Sequence, residues 1–454
     1  MATAARVRGT AGPDRLQTVN GVRDSVSCGR GLDLATVDGL DRVARDCELV
    51  TRQTSRDPYD NSESQHETEV EPDSTSFGKQ VVSVFQVGRV FDGGARNIGF
   101  ATSRDSGRTW KRGFLRGLAP RASDPSVAYD RRHRAWLAVS LVFGGGGSSL
   151  AVNRSSDGLR WGNPVTAIAT SAFGQDKEWI TCDNWPQSPF YGRCYLSYSE
   201  ILREEVVTQA SADGGLTWGP QTTAVGNPGR ASIRGEFAPA VQPLVLPSGR
   251  VVVAYYDEGK LSALLSDDGG ATWSVQSGVA PVSYRSHRGL RAAPLPTSAV
   301  SSDGRAYVAW ADCAFRLGCT ANDIVYTSST DGIAWTPLVR VPTGNGDAEL
   351  PGLDADPTRP GRLALAYYVL GASTLDVRFV SSRNAGATWA KPQALNSRHV
   401  PLSGIARTSL GSMVGDYIST SFANGRAVPV FVLAGPARRG ALSEATFATS
   451  IAVR

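Results

Sequence analysis

Carboxylates and arginines stand at comparable places all along this 454-residue chain. They are Glu69 and Glu71, Asp124, the triplet Asp176-Lys177-Glu178, Arg234 with Glu236, His287 with Arg291, Glu349, and Asp416 beside Tyr417. A second set holds Arg89, Asp92 and Arg96. Carboxylates that meet arginines in one cleft suit acid–base chemistry on an acidic sugar, because opposed charges can hold one acid protonated and another ionised. Arginine accounts for nearly all the positive charge and matches a carboxylate through two parallel hydrogen bonds.

These residues need a scaffold that brings distant segments together, and a repeat supplies one. Ser103-Arg-Asp-Ser-Gly-Arg-Thr-Trp110 recurs as Ser211–Trp218 and Ser266–Trp273, with Asn for Asp in Ser382–Trp389. Ser155–Trp161 and Ser329–Trp335 are one residue shorter. Ser and Asp side chains accept hydrogen bonds from the turn's own N–H groups, Gly takes a positive φ, and Trp covers the returning strand. The positions Asp105, Asp157, Asp213, Asp268, Asp331 and Asn384 are 52, 56, 55, 63 and 53 residues apart. A period near fifty with four short strands per unit predicts an all-β fold, a β-propeller of four-stranded antiparallel blades with each box between strands 3 and 4.

Three further strands after the last box make a seventh blade lacking one strand, so seven blades are favoured; six result if those strands merge with the first blade. The expected domains are an N-terminal tail over 1–66, largely flexible, with a segment able to supply the closing strand, and a propeller over 67–454. Within the tail, Leu34, Val37, Leu40 and Val43 allow a short helix, while Cys47–Val50 reads equally as a strand. In a propeller the box turns share a face with the loops between strands 1 and 2. The charged residues at the start of each strand 1 therefore converge at the opposite mouth of the central channel, where a concave site is expected.

The boxes resemble the Asp box of sialidases and related β-propellers. That resemblance implies a glycoside hydrolase of the exo-α-sialidase type, with a Tyr nucleophile activated by Glu, an Asp acid/base and three arginines on the substrate carboxylate. Carried over by position, Tyr417 is the nucleophile, Glu236 its activator, and Asp124 (or Asp92) the acid/base. Arg291, Arg234 and Arg89 form the triad, while Asp176, Glu178 and Asp416 line the substrate site. The family's early Phe/Tyr-Arg-Ile-Pro motif is absent, and Val87-Gly-Arg-Val90 is only a loose counterpart. Two alternatives stand beside the hydrolase: a non-catalytic propeller binding glycans or proteins, and a polysaccharide lyase using Tyr417 or His287 as base.

The net charge of +5 comes without a basic run, which argues against nucleic acid. Six cysteines fall in near pairs, Cys28/Cys47, Cys182/Cys194 and Cys313/Cys319, favouring disulfides and a secreted or extracellular protein. Met1–Asn20 shows no apolar signal core, and no run suits a membrane span. The four histidines are scattered, which argues against a His-based metal site. No cofactor is expected, although abundant loop carboxylates and carbonyls are compatible with structural calcium. The expected partner is a carbohydrate or glycoconjugate substrate, and the expected state a monomer.

Overall fold

The computed structural model describes residues 3–118, 120–224, 240–257, 259–287, 289–437 and 441–454. Seven innermost strands form a closed ring: Glu69–Phe77, Arg121–Asp130, Gln175–Cys182, Val241–Val245, Thr297–Val300, Asp347–Ala355 and Ser419–Ala423. Each packs beside the next, and the seventh returns to the first. From each, antiparallel strands run outward, as in Glu69–Phe77, Gln80–Arg89, Ala95–Ser103 and Lys111–Phe114 of blade one. The fold is a seven-bladed β-propeller. Blade three has three strands among the described residues, with the Thr208–Thr222 bridge where its fourth would lie. Second strands such as Ala306–Asp312 are buried throughout, as a sheet covered on both faces requires.

Blade seven is completed from the other end of the chain. Ser419–Ala423, Arg426–Ala434 and Glu444–Thr449 take Leu49–Gln53 as their fourth strand, in the register Phe447↔Gln53, Ala448↔Arg52 and Thr449↔Thr51. Thr51 and Thr449 join their hydroxyls at 2.7 Å across this seam. The final strands therefore make a blade of their own instead of merging with the first.

The segment before this seam differs from the expected flexible tail and short helix. It winds into two stacked parallel sheets, Arg6–Arg8, Ser25–Ser27 and Arg42–Val43 in one, Arg15–Thr18, Leu34–Val37 and Leu49–Gln53 in the other. All four residues of Leu34–Val37 are buried, so the apolar spacing belongs to a strand covered on both sides. Val26, Ala35, Val37 and the Cys28–Cys47 disulfide fill the narrow interior. The polar composition has a structural use: carboxylates accept backbone N–H groups from the preceding coil, Ala5 to Asp24, Asp14 to Asp33 at 2.7 Å, and Asp33 to Glu48. Cys182–Cys194 and Cys313–Cys319 are also bonded, so all three disulfides are local.

The repeated box is a self-satisfied turn. In the Ser266–Trp273 copy, Asp268 Oδ1 accepts the Ala271 and Thr272 N–H groups at 3.0 and 2.9 Å, and Oδ2 accepts the Thr272 hydroxyl. Ser266 Oγ donates to Asp268 and accepts the Gly270 N–H at 2.8 Å. Gly270 has φ +87°. Asn384 keeps the backbone contact to Thr388 and donates to the Thr388 hydroxyl instead of accepting from it. Replacing Asp268 by Ala is expected to destabilise the fold by about 1–3 kcal/mol, as loss of acceptors for ordered N–H groups does. Asp268→Asn should cost clearly less, because Asn384 already fills that role. Denaturant titrations of both variants decide this; an Ala variant as stable as the parent would contradict it.

Candidate active site

Four innermost strands carry the same irregularity. The register slips between Val70 and Asp73, Ser123 and Ser126, Asp176 and Trp179, and Glu349 and Gly352. Within each slip sits a left-handed residue: Glu71 (φ 54°), Asp124 (45°), Lys177 (55°) and Leu350 (49°). Proline follows three of the four. A non-glycine residue held at positive φ costs on the order of 1–3 kcal/mol, and a bulge re-aims the side chain it carries. Here the strain brings Glu71, Asp124 and Lys177 together around the channel axis.

The Lys177 ammonium is the hub. It lies 2.6 Å from Asp416 Oδ2, 3.2 Å from Asp124 Oδ2 and 3.6 Å from Asp176 Oδ1. Arg291 holds Asp416 through both oxygens, Nε to Oδ1 at 2.7 Å and Nη2 to Oδ2. Glu71 Oε1 accepts the Asp416 N–H at 3.1 Å, and Gln86 links Glu71 to Ser123, which donates to Asp124 at 2.7 Å. Arg89 closes this side with hydrogen bonds to Gln86 Oε1 and the Gly94 carbonyl. The approach of blade seven to Glu71 needs Gly415: a Cβ there would stand 2.9 Å from the Glu71 backbone.

Electrostatics divide the carboxyls. Burial alone would raise Asp416, but Arg291 and Lys177 bring it down to about 2. Burial also opposes ionisation of Asp124, yet the Lys177 charge and hydrogen bonds from Asp176 and Ser123 hold it well below the usual range. Asp176 moves the other way, up to about 7, through burial and the charge of Asp124, against the pull of Lys177. The two carboxyls thus share a proton, and Asp176, with 27 % of its side chain exposed, is the one solvent can reach. Burial drives Glu71 and Glu178 well above the ordinary carboxylate range. Neither Glu178 oxygen has a hydrogen-bond partner among the described residues.

Tyr417 lies across the channel. Its hydroxyl donates to the Pro125 carbonyl at 3.0 Å, its ring meets Trp179 edge-on at 5.0 Å, and burial pushes the phenol well above its usual range. Beyond Trp179, on the face of the box turns, opens a cavity of about 800 Å³ lined among others by Trp185, Gln242, Ser298, Asp354 and Ser421. This concavity is at the mouth opposite the charged cluster. Burial raises Asp73 and Asp354, which border this cavity, to about 7 each.

Among the residues anticipated from sequence, Asp124, Asp176, Asp416 and Arg291 meet directly. Arg89 joins through Gln86, and Tyr417 and Glu178 adjoin from the channel side, each feeling the charge of Asp124. Asp92 is exposed, without a hydrogen bond to this group. Arg234 and Glu236 lie outside the described residues. Arg291 and Arg89 already bond to the protein's own groups, so an open arginine triad is not preformed by these two. Sequence reasoning missed Gln86 and Ser123, which carry no motif. His287 and Glu349, both anticipated at this mouth, form a second group on the same face with Tyr284 and Asn322, which sequence reasoning did not name. There His287 Nε2 lies 2.5 Å from Glu349 Oε1, Tyr284 donates to Glu349 Oε2 at 3.2 Å, and Asn322 Nδ2 donates to Glu349 Oε1 at 2.6 Å. The histidines are scattered in sequence; the fold sets one of them between two carboxylates.

No family model matches the chain, and no curated relative matches it. Solved structures do. NanB sialidase from Streptococcus pneumoniae, as its K499G mutant, is 15% identical over 88% of this chain and 70% of its own, with a TM-score of 0.45. A Fusarium graminearum α-L-arabinofuranosidase is 11% identical over 88% and 98%, with a TM-score of 0.47. Trypanosoma rangeli sialidase in complex with sialic acid is 13% identical over 72% of this chain and 58% of its own, at 0.45. The chain is similar to these proteins; its chemistry rests on its own residues.

Removing the hub charge, as in Lys177→Met, is expected to cost roughly 3–5 kcal/mol, because buried carboxylates lose their counter-ion. Asp416 and Asp124 titrate below their unfolded values near 4. Their stabilisation is therefore complete above that pH and lost as pH falls through the folded values, near 2 for Asp416. In Lys177→Met the acid limb of the stability profile should move to higher pH. Thermal melts from pH 2 to 8 test both effects, and an unchanged profile would refute the hub.

Proposed function

We propose that this protein is a secreted, sialidase-like glycoside hydrolase acting on a terminal or acidic sugar at the charged mouth of the channel. The observation that carries the proposal is the Asp124–Asp176 pair. Two carboxyls in contact, one ionised beside Lys177 and the other protonated near neutrality, constitute an acid and its conjugate partner within one site. In this reading Asp176 delivers its proton to the leaving oxygen, which departs with it, and the resulting Asp176 carboxylate takes a proton from the entering water, while Asp124 stays ionised beside Lys177. Tyr417 serves as the attacking group only after leaving the Pro125 carbonyl. Glu236 and Arg234 keep the roles that resemblance gives them, activator and third arginine. Three disulfides support an extracellular setting.

A fluorogenic sialoside and a panel of aryl glycosides test the assignment. Asp176→Asn copies the neutral acid but has no proton to give, so kcat should fall about 10²–10⁴-fold, the range for general acid catalysis. Activity of the parent should decline as pH rises through about 7, where Asp176 ionises. Absence of turnover across the panel, with a control glycosidase active, would overturn the hydrolase. One observation favours a non-catalytic, ligand-binding propeller instead: Arg291 and Lys177 are already neutralised from within, while the large cavity opens at the far mouth. Glycan binding without turnover would establish that reading.

A further inference from the structure

His287 is held between two carboxylates. Its ring is nearly buried, with 4 % of the side chain exposed. Nε2 faces Glu349 Oε1 at 2.5 Å, while Nδ1 faces Asp347 Oδ2 at 3.6 Å, too far for a hydrogen bond. In the neutral imidazole that a metal requires, the one N–H sits on Nε2 in the short contact, and Nδ1 presents a lone pair toward Asp347 Oδ2. Two lone pairs about 3.6 Å apart are stable when a cation lies between them. On a tetrahedral ion, with metal–nitrogen and metal–oxygen bonds of about 2.0–2.2 Å, the two donors stand roughly 3.3 Å apart.

We infer that His287 Nδ1 and Asp347 bind a divalent transition-metal ion of the zinc class, with Glu349 behind the imidazole as the carboxylate that orients it. The donor atoms of the three residues all lie within 4.8 Å of one another. A metal-bound histidine commonly donates its other N–H to a carboxylate, and that carboxylate is itself held by hydrogen bonds. Glu349 meets this description: Tyr284 donates to one oxygen and Asn322 to the other. The Asn322 backbone N–H donates to Asp347 Oδ1 at 2.7 Å, fixing that carboxylate and leaving Oδ2 to face the ring. Positions on the ion not filled by protein open onto a cavity of about 540 Å³ bordered by Ser286, Leu370 and Gly371, so water or a ligand oxygen can complete the coordination. A site with open positions is the kind that takes part in binding or chemistry, whereas a purely structural zinc is closed by protein ligands.

Arg285 supplies an internal test. Its guanidinium sits 2.7 Å from Asp347 Oδ2, the oxygen assigned to the metal, and 44 % of its side chain is exposed. It competes with the ion and can withdraw into solvent. Removing it should therefore improve metal binding, whereas a merely structural Arg285–Asp347 pair predicts no such gain.

The full chain, stripped with a chelator, would be titrated with Zn²⁺ by calorimetry and followed by thermal melts with and without the ion. One equivalent per chain is expected, with a rise in Tm that chelator reverses. Asp347→Asn should weaken binding at least tenfold, and Arg285→Gln should tighten it severalfold. His287→Gln should abolish binding; because that change disturbs Glu349, the Asp347 and Arg285 variants carry the test if it fails to fold. Absence of stoichiometric binding by the parent, or unchanged affinity in both Asp347→Asn and Arg285→Gln, would overturn the assignment.

Discussion

The ammonium of Lys177 occupies the place on the channel axis where several blades must agree. It gathers Asp124 from blade two, Asp176 from its own blade and Asp416 from the start of blade seven, and through Asp416 it reaches Arg291 on the segment between blades four and five. A charge removed from water is tolerable only when its partners are close and correctly aimed. That condition accounts for the bulges, the left-handed residues and Gly415, all of which let backbone approach where a regular strand would hold these side chains apart. The strain is local, and the rest of the ring is ordinary antiparallel sheet.

The same charge also creates the asymmetry that makes the site chemically interesting. Carboxyls next to Lys177 are kept ionised, while those one step removed, Glu71 and Glu178, become neutral acids. Asp176 stands on the border, in partial contact with both Lys177 and solvent. Burial raises proton affinity throughout the cluster and the charges of Lys177 and Arg291 lower it where they lie beside a carboxyl, so carboxyls in one small space are held differently.

Much of the scaffold was legible in the sequence because its signals are local. Six boxes marked six of the seven blades, three strands after the last box gave the seventh, and the pairing of neighbouring cysteines followed from separation alone. The convergence of Asp124, Asp176, Asp416 and Arg291 was also legible, since a propeller sends the beginnings of its inner strands to one place. What stayed hidden depends on contacts between segments far apart. Gln86 and Ser123 matter only because a bulge turns Glu71 and Asp124 toward them, although the recurring X-Pro at 71–72, 124–125 and 350–351 was a usable trace of that bulge. His287 and Glu349 were placed at one mouth by the repeat, but their direct contact, across some sixty residues of sequence, was not legible. The N-terminal coils escaped because their strands are two to five residues long and their polar side chains, read as solvated, are backbone acceptors.

Closure of the ring by Leu49–Gln53 has a kinetic side. Thr51 and Thr449 are 398 residues apart, so this seam joins segments very distant in sequence. Contacts of such long range are entropically demanding to form and slow the search for the native topology. During synthesis the coil carrying Leu49–Gln53 is made well before the strand that it pairs with. Until then the nascent chain carries an open sheet edge able to pair with another molecule. The cysteine bridge between residues 28 and 47 lies wholly within the early segment and can be made before the propeller exists. It gives the waiting strand a folded support, onto which Glu444–Thr449 docks to close the ring.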